Sequence, residues 1–272
     1  MINNSNETIN LIHEELLKIA KDFHRFCEDH NYKYYIIGGT FIGAIRHKGF
    51  IPWDDDMDIA MPREDYEKFL ATYTSDKYDI ITYRSGKEYK YYLPKLYNDK
   101  YIVKEKTGNI TNLFIDIFPI DGMPNNKILR RIHILRILYR RMKLSFYYND
   151  TIDMEKKRKT YEKILIKLAK SIPFKRLIDP IKEKDKIDKM LKANHMNDCE
   201  YSGTIMGAYR AREIVETKWF GKPTLYDFED TKLYGPEYYD EYLTHMYGDY
   251  MALPSKDKQT IHCVELKSVY NE

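Results

Sequence analysis

The sequence predicts an α+β fold, a mixed β-sheet flanked by helices with an added basic helical segment. Three observations carry this. Apolar periodicity alternates between helical and extended up to about residue 75, several strand-like runs then follow one another, and the composition turns sharply basic at Lys127. A regular βαβ repeat would place a helix after every strand, and the grouped runs between Tyr78 and Phe118 do not allow that.

Glu7 to His30 places Ile9, Ile12, Leu16, Ile19, Phe23 and Phe26 at spacings of three and four, the pattern of an amphipathic helix. Tyr34 to Ile37 is a short aromatic and β-branched run that stops at Gly38-Gly39, a strand ending in a glycine turn. Thr40 is placed to cap a short helix through Ala44 or Arg46. A loop with Gly49 and Pro52 leads into Trp53 to Met61, whose second half reads as a strand. Pro62 occupies a helix N1 position, and Tyr66, Phe69 and Leu70 give that helix an apolar face to about Tyr73. Strands are expected at Tyr78–Tyr83, Tyr91–Leu96, Tyr101–Lys104 and Leu113–Phe118.

From Lys127 to Arg176 there are 16 Lys and Arg against four Asp and Glu, a local charge of +12 that leaves the rest of the chain at −9. Ile128, Ile132, Leu135, Leu138, Met142 and Phe146 keep helical spacing while Arg130, Arg131, Arg136, Arg140, Arg141 and Lys143 crowd the remaining surface. A second helix is expected over about Met154–Lys170, and a third from Lys175 that breaks or starts near Pro180. The expected organisation is a core over 1–126, a basic helical segment over 127–200 inserted in or packed on it, and a Gly-, Pro- and Tyr-rich part over 201–272 that wraps back.

Bulk composition excludes several classes. A chain of 272 residues that is 43% hydrophobic can fill a core, and the balance of 45 Lys and Arg against 42 Asp and Glu is not that of a nucleic-acid binder. Three distant cysteines fit neither a disulfide framework nor a zinc ribbon, which points to a reducing cytoplasm. The first ten residues lack an apolar h-region, and no run of about 18 apolar residues occurs. The 26 tyrosines are about three times the ordinary share. AT-rich codon usage explains most of that excess, and aromatic platforms for a cationic, sugar or base ligand are the functional alternative.

Asp54, Asp56 and Asp58 alternate, so an extended chain would project their carboxylates to one face and Met57 and Ile59 to the other. Three like charges together call for a cation. Asp116 interrupts the otherwise apolar run Leu113–Phe118, and a buried carboxylate needs a charged partner or a metal. On neighbouring strands Asp56, Asp58 and Asp116 would form an oxygen-only site suited to Mg2+, the ion phosphoryl chemistry uses to neutralise phosphates. A calcium loop fails, because Asp54, Asp56, Asp58 and Asp65 fit positions 1, 3, 5 and 12 but Ile59 stands where glycine must make the turn. Gly38-Gly39-Thr40 offers backbone N–H groups at a helix start, a phosphate cradle that matches neither a Walker A loop nor a dinucleotide fingerprint.

The stretch GGTFIGAIRHKGFIPWDDDMDI (Gly38–Ile59) resembles the signature of the LicD family of phosphotransferases, of the nucleotidyltransferase-fold superfamily. FIDIFPIDG (Phe114–Gly122) and YDEYLTHMYGDYMALP (Tyr239–Pro254) resemble its second and closing motifs, in family order. The middle, Lys127–Tyr201, matches nothing usable. The resemblance implies a nucleotidyltransferase-like sheet and transfer of phosphocholine, or another phospho-substituent, from a CDP-linked donor such as CDP-choline to a hydroxyl of a cell-surface glycan or teichoic acid precursor, releasing CMP. It implies Mg2+ or Mn2+ bound by Asp56, Asp58 and Asp116, with Asp54 as a third ligand or a nearby charge, and Gly38, Gly39 and Thr40 along the nucleotide phosphates. Arg46, His47 and Lys95 are carried over as cations near those phosphates; His47 fits a structural hydrogen-bond donor equally well. Tyr209 and Tyr247 are candidates for a choline cage. The remaining histidines show no ligand spacing.

In the expected mechanism the acceptor hydroxyl attacks the phosphorus bearing the head group, Asp116 takes or orients its proton, and CMP leaves. Nucleotidyl transfer to a small acceptor would use the same metals, and a non-catalytic membrane-surface protein is the reading outside enzymology. The basic segment reads as a solvated helical face or as a surface for anionic lipid or polymer, which would make the protein cytoplasmic or peripheral on the inner face of the membrane.

Overall fold

The computed structural model describes residues 5–105, 110–148, 174–255, 259 and 263–269. Helix α1 (Ser5–His30) buries Ile12, Leu16, Ile19, Ala20, Phe23 and Cys27 against the sheet, as its spacing dictates. Strand β1 (Tyr35–Ile36), helix α2 (Gly38–Arg46), strand β2 (Asp58–Pro62) and helix α3 (Arg63–Thr72) follow, then strands β3 (Asp79–Ile81), β4 (Lys95–Glu105) and β5 (Ile110–Met123). Helices α4 (Lys127–Tyr147), α5 (Phe174–Leu177) and α6 (Pro180–Leu191) form the helical segment. Short strands β6 (Tyr201–Gly203) and β7 (Ile214–Glu216), the hairpin β8 (Thr224–Phe228) and β9 (Thr231–Gly235), helix α7 (Tyr239–Tyr247) and strand β10 (Cys263–Ser268) complete the order.

The main sheet is mixed, as expected. Its order is β1-β2-β5-β4-β10, with β3 on β4 and the β6-β7 pair continuing from the end of β5. Strands β2 and β5 are parallel, and all other described pairings are antiparallel. Two hydrophobic clusters result. The larger holds α1, α2, β1, β2, most of β5 and the 215–250 region; the smaller joins Met123, Ile137, Leu144, Ile187, Leu191, Ile205 and Ile214. Strand β5 enters both.

Several local expectations are corrected. Thr40 is not a cap: α2 begins at Gly38 with Ile37 before it, and Thr40 lies within the first turn. Pro62 ends β2, and Arg63 is the first helical residue of α3. The two runs at Tyr91–Leu96 and Tyr101–Lys104 are one strand with a register shift between Asn98 and Ile102, so the expected break is a bulge. The Tyr78–Tyr83 run shortens to β3 because Thr82 caps a single 3-10 turn at Tyr83–Ser85. Leu113–Phe118 extends to 14 residues since the chain pairs with β2 and β4 and then with β6.

On α4 the interior is built by His133, Ile137 and Leu144, whereas Ile128, Ile132, Leu135 and Met142 face out. Helical spacing was present, but on the outward face. The expected helix over Met154–Lys170 lies outside the described residues.

Arg63 ties the layers together. Its guanidinium donates to both carboxylate oxygens of Asp121 on β5, at 2.7 Å each, and to Asp188 on α6 at 3.2 Å. Tyr92 donates to the same Asp188 oxygen at 2.7 Å. Burial opposes the Arg63 charge, but the Asp121 carboxylate holds its pKa above the ordinary range.

Candidate active site

Asp58 opens β2 and stands in direct register with Asp116 on parallel β5, which in turn is opposite Lys95 on β4. The polar triplet is set by the alternation of the strands, since Met57 and Ile59 on either side of Asp58 are buried in the core. Asp58 is further fixed by its main chain. Its N–H donates to the Thr40 hydroxyl at 2.9 Å, and its C=O accepts from Ile37 N–H at 3.1 Å. Thr40 therefore joins α2 to the aspartate strand.

Asp54 and Asp56 do not extend that strand. They lie in the irregular segment before β2, so the alternation expected from an extended chain is realised only at Asp58. Asp54 nevertheless returns to the site. A Cβ on Gly39 would clash with its Oδ2, and one on Gly38, where φ is +62°, would meet Asp58 Oδ2 at 2.5 Å. The Gly-Gly turn thus presses its backbone against two carboxylates, which is why side chains are absent there.

The charges are crowded. Burial first, then the neighbouring carboxylates Asp56 and Asp55 and a hydrogen bond with Asp56, push Asp54 up to about 8. Burial and the charges of Asp56, Asp116, Asp54 and Glu213 lift Asp58 well above the carboxylate range. Among the described residues no three His, Cys, Asp or Glu side chains are already drawn into a closed coordination shell. The donor set still fits a hard divalent cation: all-oxygen, anionic, and costly to keep together without positive charge.

Lys95 is buried, with its ammonium 3.5 Å from Asp116 Oδ1 and over the rings of Phe114 and Tyr91 at 2.9 and 4.5 Å from their centroids. Arg46 is directed elsewhere: Nη1 donates to the carbonyls of Tyr250 and Ala252 at 2.7 and 3.2 Å, tying α2 to the turn after α7. Its Nε donates to His47 Nε2 at 2.9 Å. At that nitrogen His47 is an acceptor, and burial and the Arg46 charge lower its pKa.

Tyr209 and Tyr247 are brought together edge to face, 5.7 Å between centroids. Tyr247 is buried enough that its hydroxyl pKa is raised, first by desolvation and then by Tyr242, Tyr209, Asp58 and Glu213.

Three supporting residues were not legible. His13 Nε2 lies 2.6 Å from the Asp54 carbonyl, and its ring stacks on Phe50 at 4.2 Å. Burial keeps His13 below its ordinary pKa. Glu213 anchors the loop under Tyr209 by accepting from Tyr209 N–H at 2.7 Å and from the Thr204 hydroxyl. Glu229 accepts from Phe50 N–H at 2.9 Å and steadies the loop leading to the aspartates. A cavity of about 720 Å3 opens at the far end of β2, among Pro62, Arg63, Lys192 and His195; none of the four clustered aspartates lines it.

Residues 31–177 match the family described as LicD/FKTN/FKRP, nucleotidyltransferase domain. The chain belongs to the LicD family. It is 29% identical over 255 residues to the lipopolysaccharide cholinephosphotransferase LicD of Haemophilus influenzae, covering 92% of this chain and 93% of that protein. An uncharacterised protein of Rickettsia typhi is 30% identical over 118 residues, 42% of this chain and 36% of its own. The LicD match begins before the Gly-Gly turn and runs through both aspartate strands, so it includes Asp58, Asp116 and Lys95.

Proposed function

We propose that this LicD-family chain is a phosphotransferase that moves phosphocholine, or a related phospho-alcohol, from a CDP-linked donor to a hydroxyl of a cell-surface glycan or teichoic acid precursor. The observation that carries the reading is the register of Asp58 with Asp116 beneath the Gly38-Gly39 turn. Similarity to the H. influenzae cholinephosphotransferase over nearly the full length of both proteins supports the choice of group transferred.

Asp56, Asp58 and Asp116, with Asp54 beside them, would hold Mg2+ or Mn2+. When bound, such an ion supplies positive charge to the donor pyrophosphate and to the departing oxygen. The chain's own residues do the rest. The Gly38 and Gly39 backbone N–H groups, at the start of α2 beside the carboxylates, would donate to phosphate oxygens. Asp116 accepts the proton of the acceptor hydroxyl as that oxygen bonds to the phosphorus carrying the head group, and the bond from this phosphorus to the CMP oxygen breaks. Lys95, paired with Asp116, balances the negative charge that gathers there. Tyr209 and Tyr247 offer π faces to a quaternary ammonium.

Incubation with CDP-choline labelled in the choline, Mg2+ and a glycan acceptor tests the reading. Label in the acceptor together with free CMP is the expected result. Nucleotide on the acceptor would instead establish nucleotidyl transfer.

A further inference from the structure

The outward face of α4 is apolar. Ile128, Leu135 and Tyr139 are 68%, 64% and 56% exposed, and Ile132 and Met142 are exposed as well. Their spacing of four, three, four and three keeps all five within roughly 80° of the helix circumference. Beside this stripe Arg131 and Arg136 are also exposed. The helix carries seven Lys and Arg and no Asp or Glu. Lys127 at its start is exposed too, and the other four cations turn inward: Arg130 to the carbonyls of Pro124 and Asn125, Arg140 and Lys143 to Glu183 on α6, and Arg141 to the carbonyls of Ile205 and Gly207.

We propose that this face of α4 docks the protein on an anionic lipid bilayer, the helix lying in the interface plane with its stripe in the acyl boundary and its flanking arginines at lipid phosphates. Charge selects the occupant. A second copy would bring two acid-free cationic helices face to face, which repel, whereas an anionic surface satisfies arginines and aliphatic side chains together. The 21-residue helix extends about 31 Å, enough to seat all five apolar side chains at one depth. No described helix is long and apolar enough to cross a membrane, so the contact is one of lying on it.

Docking by this face also bears on the candidate site. The same helix holds, through Arg141, the loop that carries Tyr209, so the membrane contact and that loop share one rigid element. The inference does not depend on the transfer reaction.

Co-sedimentation of the purified full chain with vesicles of phosphatidylcholine alone, and with about one-third phosphatidylglycerol, tests it. Binding is expected to the anionic vesicles only and to weaken with salt. Ile132→Asp/Leu135→Asp should lower the partition on the order of tenfold or more, and Arg131→Gln about fivefold. All three side chains are exposed, so unchanged melting temperatures certify the variants as folded. No partition to anionic vesicles, or equal partition of the Asp double variant, overturns the proposal. So does a dimer by light scattering that the double variant dissolves while vesicle binding is absent. Hydrolysis or transfer from CDP-choline in detergent-free buffer reads the catalytic proposal separately.

Discussion

Asp58 and Asp116 face each other across two parallel strands, with Lys95 opposite Asp116 on the third. Parallel neighbours stand about 4.8 Å apart, so two carboxylates held in this register repel each other by construction. A fold that retains such a pair keeps it at a cost to stability, and that cost makes the pair testable.

Asp58→Asn should therefore separate stability from function. Removing one negative charge from a buried like-charge cluster raises the melting temperature by a few degrees in metal-free buffer, while transfer activity falls on the order of a thousandfold or more. Parallel melts and assays read both. A variant that is less stable yet fully active would contradict the role assigned to Asp58.

Divalent cation should stabilise the wild type by mass action. At about one hundred times the dissociation constant the gain is about 2.7 kcal/mol, and Asp58→Asn or Asp116→Asn should abolish most of it. Thermal shift titrations with Mg2+ and Mn2+ measure this without substrate. Chelation should stop turnover in the same protein.

Gly38→Ala should damage the site from behind. At φ +62° an alanine costs about 1–2 kcal/mol, and its Cβ would press on Asp58 Oδ2. Gly248, at φ +73° with open space around it, carries the strain without the clash. Activity should fall far more in Gly38→Ala than in Gly248→Ala at similar loss of stability, which paired assays and melts decide.

Arg63→Met should cost about 3–5 kcal/mol, because it strands Asp121 in the interior. Adding Asp121→Leu should recover much of that loss, since the pair is replaced rather than broken. A double-mutant cycle in denaturant reports the coupling.

Acid should loosen the attachment of α4 to α6. Burial alone would raise the Glu183 pKa, but hydrogen bonds from Lys143, Arg140 and Lys186 lower it to about 2. A folded pKa below the unfolded one gives stability that is fully present above about pH 4.5 and is lost as the pH falls toward 2, up to about 3 kcal/mol. Melting temperatures of wild type and Glu183→Gln between pH 5 and 3 should converge, the wild type falling faster.

What the sequence reveals and what it hides divide along physical lines. Asp58 and Asp116 were legible because a carboxylate inside an apolar strand has few explanations. The glycine turn was legible because of its place ahead of them. The bond from Asp58 N–H to Thr40 was not, since it depends on how α2 returns to β2. Arg46 shows a different limit: the residue type suits a phosphate, yet chain folding brings the carbonyls of Tyr250 and Ala252 to it first. On α4 the period was right and the facing was not. A stripe of apolar residues fixes an angle around a helix, but only tertiary packing decides which side becomes interior, and here His133, Ile137 and Leu144 were chosen. The Arg63–Asp121–Asp188 network was invisible because its members are 58 and 125 residues apart along the chain.

Strand β5 carries Asp116 at the aspartate cluster and, five positions on, Asp121 at the Arg63 anchor, and it ends in the second hydrophobic cluster at Met123. The two halves of the protein thus share an unbroken rod of backbone rather than a linker. Melting either half frays a strand the other needs, so calorimetry should record one heat-absorption peak whose van't Hoff and calorimetric enthalpies agree. Along β5 itself no joint separates the two clusters, so parting them there would have to break strand pairing.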